Sequence, residues 1–300
     1  MLASLLRWTL GAQWLLGAAL GWWLHASHRA SLAGALAVAV LMPLLISGLA
    51  FIVTWLRSRA AGPLGPWLRS LPAEMAAGID FFMLRQPWAR APAGVQMPSA
   101  PRAQRLGVVL VHGYICNHRI WDALVPRLRA QGHAVVALDL EPVFASIDDY
   151  AEHLHQAITA LQQSTGWAQV VLVGHSMGGL ACRAYLRRFG AAAVARVITL
   201  GTPHAGTQLA RGVRTPNGRQ MQWQSPWLAA LAASETEATR ALFRIGLSPQ
   251  DNIVYPQRAQ TLAGVAPTVF EGLGHLQLCK NERVLQWVLH TTLEAEGKRA

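Results

Sequence analysis

The sequence has few charged residues. Asp, Glu, Lys and Arg make up 14% of its 300 residues, against roughly 25% in an ordinary soluble domain. Hydrophobic residues make up 52%. So little charge with so much apolar surface excludes an intrinsically disordered chain. A chain of this length can bury a sizeable core, and its apolar excess indicates contact with a membrane.

Cysteine is also scarce. Cys116, Cys182 and Cys279 are widely spaced and form no C-x-x-C pair, which argues against a disulfide framework and suits a reducing compartment. The sequence contains no H-E-x-x-H and no G-x-x-x-x-G-K-[ST] motif, so it gives no sign of a zinc site or a nucleotide-binding loop. We expect neither a metal nor a cofactor.

Only two residues are lysines, and arginine carries most of the positive charge. Residues 1–105 hold nine Arg against Glu74 and Asp80, which is nine minus two, or +7 of the total +11. A nucleic-acid-binding protein would cluster basic and aromatic residues along one helix or groove. Here the arginines flank apolar stretches, as in proteins at a membrane surface. We expect no nucleic-acid partner.

Two apolar stretches near the N-terminus are the strongest membrane signal. Residues 8–24 and 32–56 contain no charged side chain, and a membrane-spanning helix needs about 20 apolar residues. We predict a hairpin of two transmembrane helices within residues 1–60. A signal peptide followed by a single span is the alternative. The positive-inside rule places both ends of the hairpin in the cytoplasm.

The rest of the chain divides into a connector and one domain. Residues 61–104 are rich in Pro, Gly, Ala and Arg, with the pattern of a short amphipathic helix at 74–84. From residue 105 to 300, apolar runs alternate with stretches of helical periodicity. The predicted strands are residues 106–111, 134–138, 170–173, 196–200, 242–247 and 268–270. This alternation predicts a parallel sheet with helices on both faces.

The strongest local motif is G-H-S-M-G-G at residues 174–179, which matches G-x-S-x-G between a predicted strand and a predicted helix. Small residues two before and two after Ser176 are needed because a Cβ there would collide with the neighbouring strand or helix. The turn also places Ser176 at a helix N-terminus, where backbone N–H groups favour developing negative charge. We predict that Ser176 is a nucleophile.

A serine nucleophile needs a base, and after this motif an acid and then a histidine follow along the chain. Three histidines follow Ser176. His290 fits the periodicity of a terminal helix, and His204 comes too early for an acid to precede it on a later strand. His275 lies in a loop with two glycines, just past a short strand. We predict that His275 is the base.

The acid is chosen from the carboxylates between Ser176 and His275. Asp251 follows a predicted strand and a turn, where its side chain can accept the imidazole Nδ1–H. Glu271, at the end of the last strand, is the second choice.

An oxyanion hole needs two backbone donors. We predict Met177, after the nucleophile, and Tyr114, in the loop after the first strand, with Ile115 as the second choice. His112 is interpreted as a residue that fixes this loop.

Five segments together resemble bacterial triacylglycerol lipases and esterases of the α/β-hydrolase superfamily. They are V-H-G-Y at 111–114, G-H-S-M-G-G at 174–179, L-G-T-P-H-A-G-T at 200–207, D-N-I-V-Y-P at 251–256 and G-L-G-H-L at 272–276. The resemblance covers about residues 105–290. It implies an α/β-hydrolase fold with Ser176 as nucleophile, Asp251 as acid, His275 as base, and Tyr114 and Met177 as oxyanion donors.

The resemblance also implies a cap over the pocket at about residues 205–241. Four of its apolar residues suit an acyl chain, although a buried helix would explain them equally: Met221, Trp223, Trp227 and Leu228. Secreted lipases of this type are exported, whereas this chain carries a predicted hairpin. We therefore expect it in the bacterial inner membrane, with the catalytic domain in the cytoplasm.

The sequence thus predicts a membrane-anchored serine ester hydrolase whose partners are the bilayer and an acyl ester, most simply a lipid. A thioesterase or an acyltransferase would use the same three residues, and both remain alternatives. A non-catalytic interaction protein of the same fold is a further alternative, but such proteins usually lose part of the triad. Dehalogenases and epoxide hydrolases need a carboxylate where Ser176 stands. No feature indicates an oligomeric state.

Overall fold

Six parallel strands form the central sheet of the computed structural model, which describes residues 1–99 and 105–296. The strands are β1 (Arg105–Val111), β2 (His133–Ala137), β3 (Val170–His175), β4 (Val194–Leu200), β5 (Phe243–Leu247) and β6 (Thr268–Val269). Their order across the sheet is β2-β1-β3-β4-β5-β6, and every neighbouring pair is parallel. The predicted parallel sheet is confirmed. Residues 100–104 of the predicted connector and 297–300 of the predicted domain lie outside the described residues.

Helices precede the sheet and alternate with its strands. The α-helices of the described residues are α1 (Leu2–Ala26), α2 (Leu32–Ser58), α3 (Leu64–Ile79), α4 (Val125–Ala130), α5 (Tyr150–Thr165), α6 (Met177–Phe189), α7 (Pro216–Gln220), α8 (Pro226–Ala233), α9 (Glu237–Ala241) and α10 (Glu282–Glu294). Shorter 3-10 turns lie at Gln86–Trp88, His118–Trp121, Gln208–Ala210, Gln257–Ala259 and Leu276–Cys279.

The strands are mostly apolar because both faces of the sheet are covered. Val109 and Leu172 belong to the core on the side of α5 and α6. Val108, Val171 and Ile198 belong to the core on the side of α10. Side chains alternate between the two faces along each strand, so consecutive residues serve opposite cores. Because all six strands are parallel, their carboxyl ends meet at one edge of the sheet.

Helices α1 and α2 form an antiparallel hairpin with close backbone contact. A Cβ on Gly17 would lie 2.7 Å from the Met42 Cβ, and a Cβ on Gly21 would overlap the carbonyl of Ala35. Gly17 and Gly21 form a G-x-x-x-G pattern, which lets two helix backbones approach closely and is common between membrane helices. The two predicted apolar stretches therefore form a hairpin.

The hairpin also packs against the sheet domain. Leu2 and Leu6 are buried against Val143, and a guanidinium nitrogen of Arg7 donates to the carbonyl of Pro87 at 2.7 Å. These contacts explain why α1 begins at residue 2 rather than at the predicted residue 8.

The predicted connector is largely helical. Helix α3 begins ten residues before the predicted amphipathic stretch, and a π-helical turn, Asp80–Arg85, continues it. Trp67 is buried, and Ala77 and Phe81 join the core on the side of α10. Most helix stability in proteins comes from packing of an apolar face. The many prolines and alanines of this region predicted a linker, whereas burial of these side chains makes it a packed helix.

Within the described residues, one helix is long and apolar enough to cross a membrane. This is α2, with a mean hydropathy of 2.7 over its most apolar 18 residues, of which only 11% are buried. Helix α1 has 25 residues but does not reach the same hydropathy. Large apolar side chains of both helices are exposed, among them Trp8, Leu15, Trp22, Leu36, Val40 and Leu49.

Candidate active site

Ser176 lies in a sharp turn between β3 and α6. Its φ of 53° and ψ of −126° form a conformation that residues with a Cβ rarely adopt. A Cβ on Gly174 would lie 2.6 Å from the Gly179 nitrogen, and one on Gly178 would overlap the Val111 carbonyl. The two glycines that flank Ser176 at a distance of two residues are thus required by packing, as the motif predicted.

The loop after β1 passes directly beside Ser176. A Cβ on Gly113 would lie 2.7 Å from the Ser176 Cβ. Tyr114 and Ile115 follow and line the same cavity as Ser176, and the Tyr114 N–H donates to no other described residue. Met177 is the first residue of α6, so its N–H has no partner within the helix. Both predicted oxyanion donors therefore flank the serine.

His112 fixes this loop, as its position suggested. Its Nδ1–H donates to the Gly113 carbonyl at 2.8 Å, and its Nε2 accepts from the Leu140 N–H at 2.9 Å. Burial lowers the pKa of His112, so the ring is neutral and has one donor and one acceptor. Both ring nitrogens are thus occupied by backbone groups, one in this loop and one after β2.

Two further residues meet at the same edge of the sheet. Asp251 follows β5 and His275 follows β6, and the Nδ1–H of His275 donates to Asp251 Oδ2 at 2.7 Å. The other oxygen of Asp251 accepts the backbone N–H groups of Ile253 and Val254 at 2.9 and 2.8 Å. These bonds fix the carboxylate, which in turn fixes the orientation of the buried imidazole.

The pKa of His275 is raised above its ordinary value. Burial alone would lower it, but the charge of Asp251, its hydrogen bond and the charge of Glu74 outweigh burial. Asp251 and His275 are each almost fully buried. His275 is therefore a stronger base than a free histidine, and its Nδ1 is committed to Asp251.

The residues weighed against these two lie elsewhere. Glu271 is exposed and makes no hydrogen bond within the described chain. The Nε2 of His204 is paired with Thr199 at 3.0 Å in the core, and the side chain of His290 is exposed. The geometry thus brings Ser176, His275 and Asp251 to one place and leaves the alternatives outside it.

Glu74 is a buried carboxylate that the sequence did not single out. It comes from α3, and its two oxygens accept the N–H groups of Leu276 and Gln277 at 2.8 and 3.1 Å, directly after His275. Burial raises the pKa of Glu74 to about 7, although these two N–H groups and the charge of His275 oppose the rise. Glu74 therefore holds the loop that presents His275, and its ionised form places negative charge beside the imidazole.

Two cavities meet at Ser176. The larger, about 380 Å³, reaches from Ser176 and His275 to α2 and is lined mainly by apolar atoms. The smaller, about 100 Å³, lies under residues 203–221. Tyr114 and Leu209 line both cavities. The serine hydroxyl thus has one roomy and one narrow apolar compartment beside it.

The segment predicted as a cap lines most of the smaller cavity, but of the four apolar residues that the sequence singled out in it, only Met221 does so. Trp227 and Leu228 pack on the core beside α6. Trp223 lines a separate polar cleft with Arg57. The cap helices are short and lie against the domain. One wall of the larger cavity is formed by α2 instead.

Some signals for the missed residues were present in the sequence. Glu74 is one of two acids among the first 105 residues, and an isolated acid in an apolar stretch is a candidate for a buried role. The G-x-x-x-G pattern in α1 could have indicated the hairpin contact. Nothing local marks Asn252, which accepts the His275 N–H at 3.2 Å through its Oδ1. In the described part of the chain, no group of three or more His, Cys, Asp or Glu is arranged to hold a metal.

Comparison with protein families matches residues 108–295 to a family described as "Alpha/beta hydrolase family". The chain is 32% identical over 169 residues to a triacylglycerol lipase of Burkholderia plantarii, covering 53% of this chain and 44% of the lipase. It is 39% identical over 83 residues to Methylesterase 3 of Arabidopsis thaliana, covering 24% of this chain and 30% of the esterase. The chain thus spans less than half of the length of these curated relatives.

Among solved structures, the mature form of Bacillus licheniformis lipase BlEst2 superposes with a TM-score of 0.54 at 19% identity. The superposition covers 64% of this chain and 95% of that lipase. At this identity the match concerns the fold alone. It confirms the α/β-hydrolase fold predicted from the five sequence segments.

Proposed function

The chain belongs to the alpha/beta hydrolase family, and we propose that it is a membrane-anchored serine hydrolase that cleaves carboxylic esters of lipids. One observation carries the proposal: the His275–Asp251 pair opens on the cavity that Ser176 lines from its strained turn. Its similarity to a triacylglycerol lipase and a methylesterase supports ester cleavage as the reaction.

In the first half of the reaction, Ser176 Oγ attacks the ester carbonyl carbon while His275 Nε2 takes the hydroxyl proton. Asp251 keeps the other ring nitrogen protonated and stabilises the imidazolium. The backbone N–H groups of Tyr114 and Met177 stabilise the oxyanion of the tetrahedral intermediate. The intermediate then expels the alcohol, which takes the proton from His275, and the acyl group remains on Ser176.

In the second half, water replaces the alcohol. His275 takes a proton from the water, whose oxygen attacks the acyl carbon, and the second tetrahedral intermediate uses the same oxyanion donors. Collapse returns the proton to Ser176 Oγ and releases the carboxylic acid. In each half His275 first accepts a proton, from Ser176 or from water, and then returns it. Its raised pKa favours the accepting step.

Membrane attachment and a lipidic substrate rest on the N-terminal helices. The apolar face of α2 is exposed along its length, and burying such a face in a bilayer removes apolar area from water at about 25 cal/mol per Å². Arg57 lies in the last turn of α2 and Arg59 directly follows it, whereas Arg29 lies in the turn of the hairpin. The excess of arginine after α2 favours a cytoplasmic catalytic domain.

The activity is tested with the full chain in detergent and a chromogenic ester series from acetate to palmitate. We expect hydrolysis by the wild type, its loss in Ser176→Ala, and labelling of Ser176 by a fluorophosphonate. A wild type that is folded but neither cleaves nor reacts would make this a non-catalytic member of the fold. A matched thioester series and an acyl-acceptor alcohol separate hydrolysis of esters from thioesterase and acyltransferase activity.

Topology is tested by introducing one cysteine at a time. The native cysteines are buried, and burial raises their thiol pKa values, that of Cys116 to about 12. We therefore expect little background from them with a membrane-impermeant maleimide, and the chain without an added cysteine is the control. Ser27→Cys, in the hairpin turn, should label in spheroplasts, whereas Ser234→Cys, on the domain, should label only after lysis. The opposite pattern would place the domain outside the cytoplasm.

A further inference from the structure

Helix α2 supplies one wall of the large cavity in which Ser176 and His275 lie. Its lining residues are Ser47, Ala50, Phe51 and Thr54. Their spacing of three and four residues places them on one side of the helix. The helix with the composition of a membrane span therefore also borders the reacting atoms.

Hydrogen bonds hold this wall against the loops that carry the His–Asp pair. Asn252 donates to Thr54 Oγ1 at 3.3 Å, and the same side chain accepts the His275 N–H. Gln257 Nε2 donates to the Ser58 carbonyl at 2.9 Å. These bonds fix α2 relative to the imidazole, so a side chain on this wall has a defined distance from the serine.

Ala50 lies at the opening of the cavity. It lines the cavity and is at the same time exposed, whereas Ser47, one turn earlier, is half-buried. Val53 and Leu49 are its exposed apolar neighbours on the helix. The opening therefore borders the apolar surface that α2 would present to a bilayer. The small side chains of Ser47 and Ala50 leave a passage toward Ser176.

The rest of the cavity suits a hydrocarbon chain. Apart from groups beside Ser176, the lining side chains are mostly apolar, including Phe82, Cys116, Leu209, Ile253 and Leu276. Each methylene group buried here contributes about 0.8 kcal/mol. The smaller cavity, at about 100 Å³, accepts only a short group. The acyl chain consequently belongs along α2.

We propose that α2 is the acyl-chain wall of this active site, and that Ala50 and Ser47 set the length of chain that enters from the bilayer side. The inference rests on the proposed ester hydrolase activity and adds to it the residues that select the substrate. It makes α2 a specificity element in addition to an anchor.

The test compares two substitutions on the same helix. Ala50→Phe narrows the opening, whereas Leu49→Phe adds the same ring to a position that is 64% exposed and lies outside the cavity. The ratio of kcat/KM for the palmitate ester to that for the acetate ester is measured for each full-length variant. Ala50→Phe should lower this ratio about tenfold or more, and Leu49→Phe should leave it within about twofold of the wild type.

Thermal unfolding and the rate of fluorophosphonate labelling show whether each variant is folded with a reactive serine. If Ala50→Phe does not fold, Ser47→Leu should lower the same ratio from the neighbouring turn. An unaltered ratio in folded Ala50→Phe, or equal changes in Ala50→Phe and Leu49→Phe, would overturn the inference while the hydrolase proposal stands. A wild type that cleaves no ester and is not labelled would overturn both.

Discussion

The region of residues 105–296 and the region of residues 1–99 contribute to the site in different ways. In the first, Ser176, Asp251 and His275 each follow a strand, and parallel strands bring their carboxyl ends to one edge. In the second, Ala50 and Glu74 lie inside helices, in stretches whose composition is that of a membrane span and a linker. The proposed reacting groups thus come from loops, while Glu74, which holds the loop of His275, and Ala50, the proposed determinant of chain length, come from helices.

We expect the largest effect from a substitution of Asp251, in residues 105–296. Asp251→Asn should lower kcat by about 10⁴-fold, because the amide no longer holds the His275 tautomer or stabilises its cation. Glu271→Gln, at the exposed alternative acid, is the matched control and should stay near wild type. Steady-state kinetics of ester hydrolysis measure kcat for both variants. If Glu271→Gln shows the large loss instead, the acid assignment is wrong.

The pH dependence of the wild type comes next. His275 must be neutral to accept the serine proton, and its pKa is raised above the usual value near 6.5. We expect kcat/KM to fall as the pH decreases through this raised pKa, approaching tenfold per pH unit below it. An acidic limb centred below pH 6 would contradict the charge environment described for His275.

Glu74→Gln tests the contribution of residues 1–99 to the position and the pKa of His275. The amide can accept only one of the two N–H bonds from residues 276 and 277. The loop that presents His275 is then held less firmly, and we expect the misplaced imidazole to lower kcat about tenfold. Because the charge of Glu74 raises the pKa of His275, the acidic limb should also shift to lower pH. Glu74→Asp retains the charge and should restore the position of the limb more than the rate. An unshifted limb in Glu74→Gln would leave Glu74 with a structural role only.

The smallest effect on activity is expected from the hairpin contact. Gly21→Leu forces α1 away from Ala35, and overpacking of this kind costs about 1–3 kcal/mol. Gly11→Leu is the matched control, because a Cβ there meets no atom within 4 Å. Thermal unfolding in detergent should show a lower Tm for Gly21→Leu alone, with activity reduced only a few-fold. Equal Tm values would indicate that the two helices do not pack as described.

Much of the fold of residues 105–296 followed from its sequence. The six strands and the turn at Ser176 depend on short-range patterns: runs of β-branched residues, and glycines placed where a Cβ would collide. The order of Ser176, Asp251 and His275 along the chain could also be predicted, because each needs only a loop at a strand end. These features are local, so one stretch of sequence is enough to reveal them.

The N-terminal region shows what local patterns cannot supply. Its sequence predicted an apolar helix over residues 32–56, close to the observed Leu32–Ser58, but not which side of that helix faces Ser176. Glu74 is an isolated acid in the sequence, and only the fold brings it to residues 276 and 277, some 200 positions away along the chain. The sequence thus predicted the sheet and the strand ends at which the proposed reacting groups lie. The tertiary structure decided the wall of the cavity and the support of His275, because these depend on contacts between segments far apart in the chain.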